Sequence, residues 1–283
     1  FATDTVPRRD NPQTTCLTSA GANSLLVVFP RDAHPSYSSS SAEGLFAADW
    51  NRDGRMDDFV VSYPSENVVR FHQNECSTCN NWRFRVDMFS CSGARALGVG
   101  DVDGDNDLDL VVFCQSPSRV VWISNQNSDS FHRFGNPSSE NVITNSISGG
   151  TILGRVGDMT GDGRIEVVVS IPGGSLTVYV NNGAGSFTPR LLYASSTDFG
   201  FQGYFVMADV DSGNTPLEVV TPGIGMFWRG TGESKSNMGI QSKPDQSVTA
   251  PVCFGDFDGD GTDDLIQYTG TTMRVYKVGG GGG

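Results

Sequence analysis

One acidic turn recurs five times along the chain, and no other feature restricts the fold so tightly. The copies are Ala48–Pro64, Gly100–Phe113, Gly157–Pro172, Ala208–Pro222 and Gly255–Tyr268. Their leading aspartates, Asp49, Asp101, Asp158, Asp209 and Asp256, lie 52, 57, 51 and 47 residues apart. Each copy reads the same way. A short apolar run (Gly44–Ala48, Ala96–Gly100, Ile152–Gly157, Tyr204–Ala208, Val252–Gly255) enters the turn, and a β-branched run such as Phe59–Tyr63, Leu110–Phe113 or Val167–Ile171 leaves it. That is a strand, a tight loop and a strand.

Further alternating runs follow at Val68–His72, Val120–Ser124, Leu176–Asn181 and Met273–Val278, with fourth runs at Trp82–Phe89 and Phe187–Leu192. Four short strands per ~50 residues, repeated, predict propeller blades, and no segment keeps a helical period. The expected fold is therefore all-β: a propeller of about five four-stranded blades over residues 23–278, with an N-terminal arm at 1–22 and a glycine tail at 279–283. The fifth copy runs out after its third strand. The apolar run Leu25–Phe29 is expected to supply the missing strand and close the ring, removing an open sheet edge. Ser36–Glu43 reads as a flexible serine-rich loop, and the glycine tail as a cloning linker or the start of a native tether.

Within each turn the acids fall at the first, third, fifth and ninth positions. Alternate carboxylates in a tight loop converge, and glycine near the sixth position permits the backbone conformation. An all-oxygen donor set selects a hard cation of high coordination number, which is calcium. The expected ligands are Asp49, Asn51, Asp53 and Asp57 in the first loop and Asp101, Asp103, Asp105 and Asp109 in the second. The third offers Asp158, Thr160, Asp162 and Glu166. The fourth offers Asp209, Asp211 and Glu218 with one extra residue, and is expected to bind weakly or not at all. The fifth offers Asp256, Asp258, Asp260 and Asp264. Four to five ions are implied, one per loop. An EF-hand does not fit, because it needs a bidentate acid at position 12 between helices. Here position 12 is Val60, Val112 or Val169, inside expected strands.

Charge agrees with this. Net charge is −13, from 32 acids and 19 bases, and 17 of those acids belong to the loops. Five calcium ions would bring the balance to −3, whereas bare carboxylates crowded in one hairpin repel one another. The acidity demotes a phosphate-driven nucleic-acid binder. No apolar stretch of ~18 residues is present to span a bilayer as a helix.

The pattern Gly-Asp-x-Asp-Gly-Asp-Gly-x-x-Asp before an apolar strand resembles the FG-GAP and VCBS repeats over roughly residues 44–278. That resemblance implies the calcium-bearing propellers of integrin α subunits and of secreted microbial and fungal proteins. Family propellers more often carry six to eight blades, so five copies depart from the pattern. The family includes adhesion modules, lectins and carbohydrate-active enzymes, so fold alone does not fix function.

Other features carry less. The chain begins at Phe1, which reads as a processed mature form or a fragment. Six cysteines suit an oxidising compartment, hence a secreted or cell-surface location. Cys76, Cys79 and Cys91 with His72 make a Cys₃His set that could hold zinc, but disulfides are the expected reading, their pairing open among fifteen connectivities. No G-x-S-x-G or H-E-x-x-H motif occurs, and the carboxylate pairs belong to the metal turns. A non-enzyme is expected. Trp50, Met159 and Phe257, at the second position of their turns, are expected to pack between blades, as are most of Trp82, Trp122 and Trp228. The expected function is a calcium-stabilised adhesion or assembly module that meets an extracellular protein or another copy of itself. A lectin that binds glycans is the alternative, and a polysaccharide lyase or hydrolase a further one.

Overall fold

The computed structural model describes residues 43–48, 50, 58–74, 82–125, 140–147, 152–171, 175–193, 205–210, 217–221, 226–229, 234–237, 252–255, 257, 263–268 and 272–277. They form nineteen strands and one short 3₁₀ turn, Pro64–Glu66. The first sheet is β1 (Glu43–Ala48), β2 (Asp58–Tyr63), β3 (Val68–Asn74) and β4 (Trp82–Ser90). The second is β5 (Arg95–Gly100), β6 (Asp109–Gln115), β7 (Ser118–Ile123) and β8 (Asn141–Thr144). The third is β9 (Leu153–Gly157), β10 (Glu166–Ser170), β11 (Leu176–Gly183) and β12 (Ser186–Tyr193). The fourth is β13 (Val206–Ala208), β14 (Glu218–Thr221), β15 (Met226–Arg229) and β16 (Ser234–Asn237). The fifth has three described strands, β17 (Val252–Gly255), β18 (Asp264–Tyr268) and β19 (Met273–Tyr276). In every sheet the strands pair antiparallel in chain order.

This is the blade grammar read from the sequence, with three additions. Strands β8, β15 and β16 lack the apolar alternation that marked the others. The expected closing strand, Leu25–Phe29, lies outside the described residues.

The blades stack through two faces set by the strand period of two. In β6 and β10 the residue after the terminal acid of the turn, Leu110 or Val167, faces the preceding blade, and the next residue, Val111 or Val168, faces the following one. Three apolar layers result. The first joins Phe46, Trp50, Val60 and Phe71 to Leu110, Val112 and Ile123. The second joins Val102, Val111, Phe113 and Trp122 to Val156, Val167 and Tyr179. The third joins Met159, Val168 and Val178 to Phe205, Met207 and Val219. Full burial of each such aliphatic side chain contributes about 1.5–3 kcal/mol, so these layers dominate the fold's stability. The inner strands approach closely: a Cβ on Gly154 would stand 2.7 Å from the Leu97 side chain, which any larger residue would have to displace.

A disulfide, Cys91–Cys114, ties the entry of the second blade to β6 with a Cα separation of 5.6 Å. Closing a span of 23 residues contributes roughly 3 kcal/mol in a chain-entropy account. Cys91 is therefore not available to the Cys₃His set, while Cys76 and Cys79 lie outside the described residues. Among the described residues no helix is long and apolar enough to cross a membrane.

Candidate metal centre

Strand register places the last acid of every turn at the same point. Ala48 pairs with Asp58, Gly100 with Asp109, Gly157 with Glu166, Ala208 with Glu218 and Gly255 with Asp264. These five acids are buried, each at 0–2% exposure. The first loop thus carries one extra residue, as the fourth does, and its terminal acid is Asp58 rather than Asp57. Two adjacent aspartates hid the insertion from a reading by spacing alone.

In three loops the terminal carboxylate accepts the backbone N–H of the second loop residue. Asp109 Oδ2 accepts from Val102 at 2.9 Å, Glu166 Oε2 from Met159 at 2.8 Å and Glu218 Oε2 from Val210 at 2.9 Å. Asp109 Oδ1 also accepts the N–H of Asn125 at 2.9 Å, so both of its oxygens are held. The terminal acid is a clamp that shuts the turn against the sheet. Burial raises Asp109 to about 7, against these two hydrogen bonds, and the Asp103 and Asp105 charges push the same way. Burial likewise raises Glu166 to about 7.

The second loop gathers Asp101, Asp103 and Asp109, with one carboxylate oxygen of each within 4.8 Å of the others. Among the described residues it is the one such group of three acids. The leading Asp101 accepts the N–H of Gly104 at 2.7 Å and of Asn106 at 2.9 Å, which winds the loop around it. That winding needs a positive φ at two positions, Gly104 (87°) and Asn106 (68°), residues suited to the left-handed region. The glycine expected near the sixth position is thus an asparagine here, and the glycine that winds the loop is Gly104 at the fourth, which the repeat pattern also carries. Asp105 turns aside, accepting from the N–H of Asp107 at 2.8 Å. Burial and the neighbouring Asp105 and Asp101 charges raise Asp103 above its ordinary value, the mark of carboxylates lacking a counter-charge. An all-oxygen set of three acids fits a hard divalent cation, with Asp101, Asp103 and Asp109 as its holders.

The third loop repeats the winding: Asp158 accepts from Gly161 at 2.7 Å and Gly163 at 2.9 Å. Its chemistry differs, because Arg164 takes the place of Asp107. The Arg164 guanidinium donates to Asp162 Oδ2 at 3.0 Å from Nε and 2.6 Å from Nη2. Burial would raise the Asp162 carboxyl, but these bonds hold it below its ordinary value. Thr160 bonds within the loop, its N–H reaching Asp158 at 3.1 Å.

In the fourth loop Asp209 and Glu218 are described and Asp211 is not. The Asp209 N–H donates to Asp263 Oδ2 at 3.1 Å, and the Asp263 N–H to the Asp209 carbonyl at 2.6 Å, joining the fourth blade to the fifth. Asp263 stands where Leu108, Ile165 and Leu217 put apolar side chains against the preceding blade. Of the remaining expected ligands, Asp49, Asn51, Asp53, Asp57, Asp256, Asp258 and Asp260 lie outside the described residues, and Asp264 is at its clamp position.

The second loop position gives a correction. Trp50, Val102, Met159 and Val210 are buried at 0–1%, whereas Phe257 is 56% exposed. Val275 and Met273 on β19 are also exposed, at 55% and 68%. Val275 pairs with Ile266, so both share the face that in the second and third blades, through Val111 and Val168, meets the next blade. Among the described residues nothing covers that face of the fifth blade. Trp122, by contrast, is core.

A sequence profile of the FG-GAP-like repeat matches residues 101–169 and 158–213, each match running from one acidic turn into the next. No curated protein sequence matches the chain. Among solved structures, a lectin of Agrocybe aegerita described for specific recognition of non-reducing terminal N-acetylglucosamine is similar at 19% identity and a TM-score of 0.54. The likeness covers 82% of this chain and 65% of the lectin chain. The Tc holotoxin pore of Photorhabdus luminescens is similar at 20% identity and a TM-score of 0.51, over 87% of this chain and 11% of that one. Both share the fold, and this chain spans under two thirds of either.

Proposed function

Residues 101–213 being FG-GAP-like repeats, we propose that the chain is a calcium-stabilised propeller serving as a non-catalytic adhesion or structural assembly module outside the cell. The observation that carries this reading is the uncovered face of the fifth blade. Phe257, Val275 and Met273 expose apolar surface in positions that the other blades bury, and Ile266 beside them is half-buried. Exposed apolar patches of this kind mark interaction sites. The occupant we infer is a second copy of the chain, whose apolar face would cover this one as blade covers blade within the molecule. Calcium, held by Asp101, Asp103 and Asp109, would neutralise the carboxylates of the second loop and stiffen it. The Cys91–Cys114 disulfide supports an oxidising, extracellular setting.

The test is light scattering and electron microscopy of the protein in calcium and in chelator, with Phe257→Ser and Val275→Ser beside the parent. Oligomers or arrays in the parent that shrink in both variants support the reading. Monomers at every concentration would overturn it. A glycan-binding module is the second reading, supported by the fold shared with an N-acetylglucosamine-recognising lectin over 82% of this chain. Calcium-dependent hits on a glycan array from monomeric protein would favour it over assembly.

A further inference from the structure

Arg155 occupies a place that the other repeats reserve for apolar or small residues. It lies three residues before the leading aspartate of its turn, where the other copies have Phe46, Gly98, Val206 and Cys253. It sits on β9 opposite Val168, whose side chain belongs to the layer between the third and fourth blades. The side chain of Arg155 therefore shares that face. Its described hydrogen bond runs from an Nη to the carbonyl of the adjacent Gly154 at 2.7 Å, and its Nε is sealed from solvent with no acceptor. No carboxylate among the described residues pairs with it. Burial lowers the guanidinium from 12.5 to about 10, and nothing lifts it back.

A second polar group is orphaned on the same face. Ser170, 0% exposed, has a buried hydroxyl without a partner. It is the diagonal cross-strand neighbour of Arg155, two residues along β10 from Val168, which sets their Cα atoms roughly 7–8 Å apart. The equivalent hydroxyl in the first blade, Ser62, accepts the N–H of Ala96 from the next blade at 2.6 Å. The Ser170 hydroxyl has no such partner among the described residues. A guanidinium Nε sealed from solvent and a buried hydroxyl, each without an acceptor, cost folding free energy, and a bound oxyanion would satisfy both.

We propose that the seam between the third and fourth blades, at Arg155 and Ser170, is a binding site for a small oxyanion of the carboxylate class. The guanidinium supplies charge and a bidentate fork, and the serine hydroxyl a further donor. The site lies apart from the acidic loops and is independent of the assembly reading.

The experiment is thermal melting at saturating calcium, with sodium acetate or sodium glucuronate added against sodium chloride at matched ionic strength. The parent, Arg155→Met and Ser170→Ala are compared. The parent should melt a few degrees higher with the carboxylates than with chloride. Arg155→Met should fold, since apolar residues hold this place in other blades, and should melt at or above the chloride value of the parent with no carboxylate response. Ser170→Ala should keep a weaker response. Glucuronate acting at tenfold lower concentration than acetate makes a sugar acid the source, and equal action a free organic acid; both support the site. No rise beyond chloride in the parent, or an equal rise in Arg155→Met, would overturn it.

Discussion

Arg164 rests its guanidinium on the carboxylate of Asp162, 2.6 Å away, at the loop position that Asp107 fills one repeat earlier. Two turns with nearly the same backbone winding thus differ in charge. The second presents uncompensated acids, and the third carries a tethered cation of its own. Exposed pairs add little stability, but a fixed positive charge within a cation site opposes an incoming divalent ion.

Removing that charge should open the third loop. Arg164→Gln is expected to gain calcium affinity at this loop, on the order of tenfold, seen as an added or strengthened step in calorimetric titration. The reciprocal change, Asp107→Arg, should weaken the second loop. Titrations of Arg164→Gln that overlay the parent would show that the guanidinium does not compete with the ion.

Asp103 and Asp109 should separate holding the ion from holding the loop. Asp103 is half-buried and accepts one long bond, from Asp105 N–H at 3.2 Å. Asp103→Ala should lower the melting temperature in calcium and change it little in chelator. Asp109 clamps Val102 and Asn125, so Asp109→Asn should cost about 1–3 kcal/mol in either condition. A parent that melts identically with and without chelator would remove the calcium proposal itself.

The raised carboxyls fix the pH response of the calcium-free protein. Asp109 and Glu166 titrate near 7 in the folded chain, against 3.8 and 4.5 ordinarily. Between those values the folded state binds more protons than the unfolded state, so stability is present at acid pH and lost as pH rises through about 7. Urea midpoints in chelator should fall from pH 5 to pH 8, and calcium, which favours the ionised acids, should flatten or reverse that trend. A midpoint that climbs over this window without calcium would contradict the burial of these two groups.

The repeat and its inner strands were legible because turn chemistry and β-branched runs are local signals. Strands β15 and β16 were not, since Met226–Arg229 and Ser234–Asn237 are four residues long and carry no clear alternation. In the first copy the acid at the clamp position is Asp58, one residue past the ninth position that the spacing picks out, and only pairing with Ala48 places it there. Phe257 was assigned to the core by analogy with Trp50 and Met159. Whether a neighbouring blade covers that position is a tertiary matter, which no local pattern encodes. Arg155 was overlooked for the same reason: its singularity appears only once the copies are aligned by register.

The clamp formed by the terminal acid has an evolutionary consequence. Because Asp109, Glu166 and Glu218 each close their own turn through a backbone N–H, and Asp101 and Asp158 wind theirs, a loop keeps its shape whether or not its third and fifth acids survive. Selection can then relax on one copy at a time. Substitutions such as Thr160, Arg164 or the inserted residue before Glu218 accumulate without dismantling the blade. The chain is free to drift toward fewer ions, or to turn a retired loop to another use, while the ladder of strands beneath stays as it was.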